Sequence, residues 1–182
     1  MDRDLVERGR RGDREAYERL AEASVRRLYG VAHRILRDAD LAEDATQQAL
    51  VAIWLELPRL RDPDRFEAWT YRLVARTSIA LARSERHRSK RLEPLVDDLV
   101  APNLGSDLET RDALEAAFRS LSADHRAVVV LHHQVGLPLA EVAEILGIPY
   151  GTAGSRLHYA VQRLRIALDA QDAAIPAGRL PA

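Results

Sequence analysis

No cysteine occurs in the 182 residues, which excludes disulfides, iron–sulfur clusters and cysteine-based zinc sites. Aromatic residues are scarce, at 5%, and Ala, Leu, Arg and Glu dominate instead, a composition that leans helical. No apolar run approaches membrane-spanning length. The opening stretch MDRDLVERGRRGDREAY is charged and lacks the apolar segment of a secretory signal, so a cytoplasmic protein without membrane insertion is expected. The motifs of common catalysts are missing too: there is no phosphate-cradling Gly-rich loop, no Gly-x-Ser-x-Gly and no His-Glu-x-x-His. Six histidines are scattered along the chain, and the adjacent His132 and His133 should point to different sides of a helix, a poor metal pair. The expectation is a non-enzyme with no catalytic residues, no metal, no cofactor and no small-molecule substrate. What the chain does have is 47% hydrophobic residues, enough for a packed core.

The net charge of −1 does not announce a nucleic-acid binder, but its distribution is informative. Arg83 to Arg91 reads RSERHRSKR, one acid against five Arg or Lys. From Pro149 to Leu168 there is no acid, while Arg156, Arg163 and Arg165 are present. Acids gather in Asp38–Glu56 and Glu93–Glu115. Two local basic surfaces on a nearly neutral chain suit an adaptor that binds nucleic acid and also docks on a protein.

Helix signals recur. Asp40-Leu-Ala-Glu43, Asp64-Arg-Phe-Glu67 and Ser106-Asp-Leu-Glu109 each place a capping oxygen three residues before a Glu. Helices are predicted over 14–36, 41–56 and 65–88, with a short one near Asp4–Gly9. Ala127–Leu131 (AVVVL) has the composition of a buried strand but sits between helix-like flanks, and is read as helix. Between Leu92 and Ser106 the pattern breaks: two prolines, a glycine and the adjacent Asp97 and Asp98 read as a flexible linker. The expected fold is all-α, with a helical domain over 1–91, a linker over 92–106, a second small helical domain over 107–170 and a frayed tail over 171–182.

The second domain carries the sharpest signal. Ser122 should cap a helix that ends at Gly136. Pro138 can sit in the first turn of the next, LAEVAEIL, which ends at Gly147, and a last helix starts near Tyr150. Two short helices, a glycine turn and a longer amphipathic helix make a helix-turn-helix. At about 100° per residue, Leu157, Val161, Leu164 and Leu168 form a core stripe flanked by Ala153 and Ala160. Thr152, Ser155, Tyr159 and Gln162 lie opposite, with Arg156 and His158 beside them. That outer face is small, polar and cationic, suited to base edges and phosphates in a major groove. The same features also fit a plain solvated helix in a bundle.

LAEVAEILGIPYGTAGSRLHYAVQRLR, with LEAAFRSLSADHRAVVVLHHQVGL before it, resembles the second promoter-binding domain of extracytoplasmic-function (ECF) sigma factors of bacterial RNA polymerase. Gly154 stands where the family commonly has Lys or Arg, Ala153 replaces Val, and His132 sits where an Arg is common; these departures bear on which bases are contacted. AEDATQQALVAIW (Ala42–Trp54) resembles the helix that docks on the polymerase clamp, and places Asp44, Gln47, Gln48 and Trp54 at the pattern's positions. The amphipathic spacing itself has Ala45, Leu50, Ile53 and Trp54 packing and Glu43, Thr46 and Gln47 outside. LPRLRDPDRFEAWTYRLVAR (Leu57–Arg76) resembles the promoter-melting loop and helix, with Thr77 and Leu81 replacing a frequent Asn and Asp.

The resemblance implies a sigma factor that binds core polymerase, reads the minus-thirty-five element with the helix-turn-helix and melts the minus-ten element with the first domain. It implies core RNA polymerase and promoter DNA as partners, and leaves a place for an anti-sigma factor. The expected melting residues are Arg61, Arg65, Tyr71, Arg76, Arg83, Arg86 and Arg88. Melting needs a flipped base held in a pocket and phosphates along a basic groove. Trp69 and Tyr71 are the stacking candidates, but two positions apart on a helix they face nearly opposite sides. Large aromatics are highly buried on average, so Trp69 is assigned to the core and Tyr71 to the DNA. The upstream element falls to Thr152, Ser155, Arg156, His158, Tyr159 and Arg163. The rival reading is a stand-alone helix-turn-helix regulator that binds DNA without polymerase.

Overall fold

The computed structural model describes residues 2–92 and 114–172. Among them every regular element is helical, as expected of an all-α chain. Helix α1 (Arg3–Arg10) opens on the Asp2 carboxylate, and α2 (Arg14–Leu36) opens on Asp13, whose side chain accepts from the Ala16 N–H. Helix α2 stops at Arg37, which takes left-handed φ of 62°. Helix α3 (Ala39–Glu56) is capped by Asp38, accepting from Leu41, and not by the expected Asp40. Asp40 lies inside the first turn, where its charge still suits the helix N-terminus.

Two short 3₁₀ turns, Leu57–Arg59 and Pro63–Arg65, lead into α4 (Phe66–Leu92). Here too the cap falls two residues earlier than expected. Asp62 accepts from the Asp64 N–H because Pro63, which has no N–H, occupies the start of the turn. The expected Ser106 cap, the linker beyond Leu92 and the tail beyond Asp172 lie outside the described residues.

Helices α2, α3 and α4 form the first bundle around Leu20, Leu28, Ile35, Ile53, Phe66 and Val74, all fully buried. Ala42, Ala45 and Ala49 line the buried face of α3, so its backbone comes close to its neighbours. Helix α1 closes the end of this bundle. A Cβ on Gly9 would lie 2.9 Å from Leu57 Cδ2 and 3.1 Å from Leu20 Cδ1, so that close approach requires glycine.

The described residues of the second unit start with helical residues 114–120, here α5. Ser122 caps α6 (Ala123–Val129), which continues as one π-helical turn, Val130–Gln134, so AVVVL is helical. The wide turn corrects the expectation for His132 and His133. Their rings do not diverge but lie 4.8 Å apart, because a π turn spreads residues less per step. The His132 Nδ1 sits 2.8 Å from the Leu137 carbonyl. After Gly136 (φ 83°), Pro138 stands at the cap of α7 (Leu139–Leu146) and not within its first turn. Gly147 ends α7 in the left-handed conformation at φ 64°, and α8 (Tyr150–Asp172) follows. This is the helix-turn-helix.

The two units touch. Helices α6 and α7 rest against α2 and α4, and the buried residues of both units form one cluster. Arg126 of α6 donates from Nε to the Ile35 carbonyl near the end of α2 (2.5 Å) and from Nη1 to the Arg119 carbonyl (3.1 Å). Burial, and secondarily the charge of Arg37, lowers the Arg126 pKa to about 10. Arg37 pairs with Glu115, Arg65 with Glu144 at 3.2 Å, and Arg83 with Asp124 at 3.0 Å.

Candidate nucleic-acid and polymerase interfaces

Arg65, Trp69, Arg72 and Arg76 recur at helical spacing along one side of the 3₁₀ turn and α4, and the three arginines are exposed. Arg65, Trp69 and Arg72, with Leu60, Arg61, Asp62 and Ala68, border a cleft of about 430 Å³, closed on its far side by Glu144 and Ile145 of α7. Trp69 is half-buried at this rim, its ring 6.0 Å from that of Phe66.

Tyr71 points the other way. It is 8% exposed, and the Arg27 guanidinium lies 4.8 Å from its ring centroid. The assignment of the two aromatics is therefore corrected: Tyr71 belongs to the core and Trp69 to the groove. Rotation by two residues put them on opposite sides as expected, but the bundle lies on the Tyr71 side. Arg72 was missed altogether, although the stripe 65–69–72–76 was present in the sequence.

Arg83, Arg86 and Arg88 lie exposed along the rest of α4, where Arg83 meets Asp124 and Arg88 pairs with Glu85. Thr77 turns its hydroxyl onto the Leu73 carbonyl (2.9 Å), and Leu81 packs half-buried against the core. Neither replacement adds a polar group to the groove.

Helix α3 exposes Asp44, Gln47 and Gln48 at its first half and Val51, Trp54 and Leu55 at its second. The expected split is corrected at two places. Thr46 is buried, its hydroxyl donating to the Ala42 carbonyl at 2.6 Å, so its polar atom is satisfied inside the helix. Trp54, expected to pack inward, is 40% exposed and stands edge-on to Tyr17 with centroids 4.7 Å apart. Tyr17 is itself fixed by donating its hydroxyl to the Leu50 carbonyl (2.8 Å), and burial raises its pKa. Exposed large apolar side chains grouped on one helix are what a protein-docking surface requires.

On α8 the most deeply buried residues are Ala153 and Ala160, both fully inaccessible, while Leu157, Val161, Leu164 and Leu168 are half-buried around them. The small residues let α8 lie close on α6. Ser155, His158, Tyr159, Gln162 and Arg163 are exposed, and Thr152 is half-exposed. Ser155 donates its hydroxyl to the Thr152 carbonyl (3.1 Å). Arg156 was expected to flank the outer face, within reach of phosphates. It is instead three-quarters buried, with Nη1 3.2 Å from Asp124. Asp124 thus serves both Arg83 of α4 and Arg156 of α8.

A four-helix N-terminal unit with a cationic, aromatic groove, followed by a helix-turn-helix, defines a DNA-binding protein built in two parts. Comparison with known proteins gives these parts their names: residues 20–88 match Sigma-70 region 2, and residues 111–164 match Sigma-70, region 4. The ECF RNA polymerase sigma factor SigL of Mycobacterium tuberculosis is 35% identical over 147 residues, covering 78% of this chain and 82% of the relative. SigW of Bacillus subtilis, also an ECF RNA polymerase sigma factor, is 25% identical over 178 residues, covering 88% of this chain and 92% of the relative. Among solved structures, CnrH in complex with the cytosolic domain of CnrY aligns with a TM-score of 0.64 at 25% identity, covering 93% of this chain and 97% of that one. The sigma factor RpoE in complex with the anti-sigma factor NepR from Bartonella quintana shares the fold, with a TM-score of 0.66 at 22% identity over 84% of this chain and 96% of that one. The chain belongs to the ECF family of RNA polymerase sigma factors, transcription initiation factors that bind core polymerase and direct it to promoters. The stand-alone regulator is not favoured. No helix among the described residues is long and apolar enough to cross a membrane.

Proposed function

We propose that the work of initiation is divided over this chain as follows. Residues 1–91 dock on core polymerase and open the minus-ten element, and residues 107–170 read the minus-thirty-five element. The protein acts in the cytoplasm and turns over no substrate of its own. The Trp69 groove carries the reading. A half-buried indole at the mouth of a cleft bordered by Arg61, Arg65 and Arg72 offers a stacking platform beside phosphate contacts, the combination that captures an unpaired base. Arg76, Arg83, Arg86 and Arg88 extend the cationic track. Asp44, Gln47, Gln48 and Trp54, joined by Val51 and Leu55, form the polymerase-docking face. On α8, the exposed Arg163 positions the helix on phosphates and Arg156, held by Asp124, presents only the exposed quarter of its side chain to the same backbone, while Thr152, Ser155, His158 and Tyr159 face base edges. An anti-sigma factor completes the partners, by analogy with RpoE, solved in complex with the anti-sigma factor NepR.

Run-off transcription with purified core polymerase on a genomic promoter pool tests the whole. Discrete start sites should appear only when this protein is added. Specific shifts of promoter DNA by the protein alone, unchanged by core, would instead return the stand-alone regulator.

A further inference from the structure

The first turn of α6 lies against the recognition helix at its reading end. Asp124 holds Arg156, as described. The next residue, His125, places its ring 4.8 Å from that of Tyr159, tilted by 45°. His125 is itself held: the Ser122 hydroxyl accepts from its backbone N–H at 3.3 Å and lies 2.6 Å from its Nδ1. A hydroxyl carries one proton and two lone pairs, so the Ser122 contact fixes the ring with either tautomer at Nδ1. Burial and the nearby Arg156 charge lower its pKa.

We infer that His125 is a positioning residue for promoter reading, holding the Tyr159 ring in the orientation in which α8 presents it to base edges. The inference rests on the reading of Tyr159 proposed above. Tyr159 is 49% exposed, so the contact lies at the rim and not in the core. A tyrosine on a helix surface has two common χ1 rotamers, which point its hydroxyl to different places. Among the described residues, neither Ser155 nor His158 has a hydrogen bond or ring contact from another helix. Fixing the ring in advance spares the ordering that base contact would otherwise demand, an effect of roughly two- to tenfold in affinity. Adjacent residues of one turn of α6, Asp124 and His125, thus hold two residues three apart on α8, Arg156 and Tyr159.

The test is a selection of upstream elements with core polymerase and wild type, His125→Ala, His125→Phe, Tyr159→Ala and the double Ala variant. Thermal unfolding and core binding are measured for each. Tyr159→Ala should flatten the preference at one or two base pairs. His125→Ala should flatten the same positions by about two- to tenfold and no others. His125→Phe, which keeps a ring against Tyr159, should retain more of the preference. The double variant should equal Tyr159→Ala alone, because a positioning residue has no effect once its object is gone. Nuclear Overhauser contacts between the two rings should be present in the free protein. The inference is overturned if folded His125→Ala keeps the wild-type ranking while Tyr159→Ala changes it, if the two effects add, or if the ring contacts are absent. If Tyr159→Ala changes no ranking, the reading of Tyr159 fails and this inference fails with it.

Discussion

Trp69 and Tyr71 show how little separates a core residue from a working one. Two steps along α4 turn a side chain by about 200°, enough to take one ring into the bundle and leave the other at the cleft. Hydrophobic size assigned them the wrong way round, since an indole buries more area than a phenol. The charge stripe Arg65–Arg72–Arg76 would have placed them correctly, because a ring sharing a face with three arginines has water or phosphate beside it. Tyr71→Ala is therefore expected to destabilise the protein by about 3 kcal/mol, as removal of a buried aromatic does. Trp69→Ala should cost much less stability but suppress promoter opening, read by permanganate footprinting at the minus-ten element. Equal loss of stability in the two variants would contradict the assignment. At His125 the same scale gives a pH effect. Its folded pKa lies below the ordinary 6.5, from burial first and Arg156 second, with Asp124 opposing. As pH falls, the unfolded chain takes up the proton first. The site's contribution is whole above about 6.5, declines from there down to the lowered folded value, and levels off below it. The urea midpoint of wild type should fall more steeply over that window than that of His125→Gln, which has no imidazole to titrate.

The helices themselves were largely legible in the chain because their signals are local. Asp13, Ser122 and Gly147 each act within four residues, and α2 spans the predicted 14–36. Where a local rule erred, another local rule had taken precedence: Pro63 moved a cap to Asp62, and an i−4 carbonyl satisfied the Thr46 hydroxyl that patterning had sent outward. Helix α8 yields a prediction from a departure rather than a match. Gly154 has ordinary helical geometry, and a Cβ there would meet only Leu139 Cδ2, at 4.0 Å. No crowding requires the glycine. Gly154→Ala should therefore stabilise the protein by about 0.5–1 kcal/mol, the helical cost of glycine relative to alanine, measured as a raised denaturant midpoint. A loss of stability would contradict the absence of crowding at this position. For α3, Asp44→Arg with Gln47→Arg should weaken assembly with core while leaving the unfolding midpoint near wild type, since both positions are exposed. Titration of labelled core with the folded double variant measures it, and undiminished binding would remove this face from the docking surface.

How the two units meet was not legible, because no spacing rule joins a side chain to a carbonyl 91 residues away. The contact combines unequal parts. Arg65–Glu144 is an ion pair with both side chains more than half exposed, a type worth at most about 1 kcal/mol and weakened by salt. Arg126 differs. Its guanidinium is partly withdrawn from water, and its two hydrogen bonds end on main-chain carbonyls, one of them in the last turn of α2. Charged hydrogen bonds of this kind contribute about 1.5–3 kcal/mol each, and burial of the charge, which with Arg37 lowers its pKa, opposes them. Directional bonds set against a desolvation cost make Arg126 a residue that specifies where the units sit more than one that strengthens them. Arg126→Met should accordingly shift overall stability by less than about 2 kcal/mol yet broaden the separation between the units. The chain has no cysteine of its own, so cysteines introduced at the exposed Gln48 and Gln162 can carry a donor and an acceptor dye without background labelling. Single-molecule energy transfer should show one narrow distance population in the parent and a wider, more extended one after Arg126→Met, whereas Glu144→Gln should leave the distribution unchanged. A broadened distribution in Glu144→Gln with none in Arg126→Met would place the hold on the surface ion pair instead.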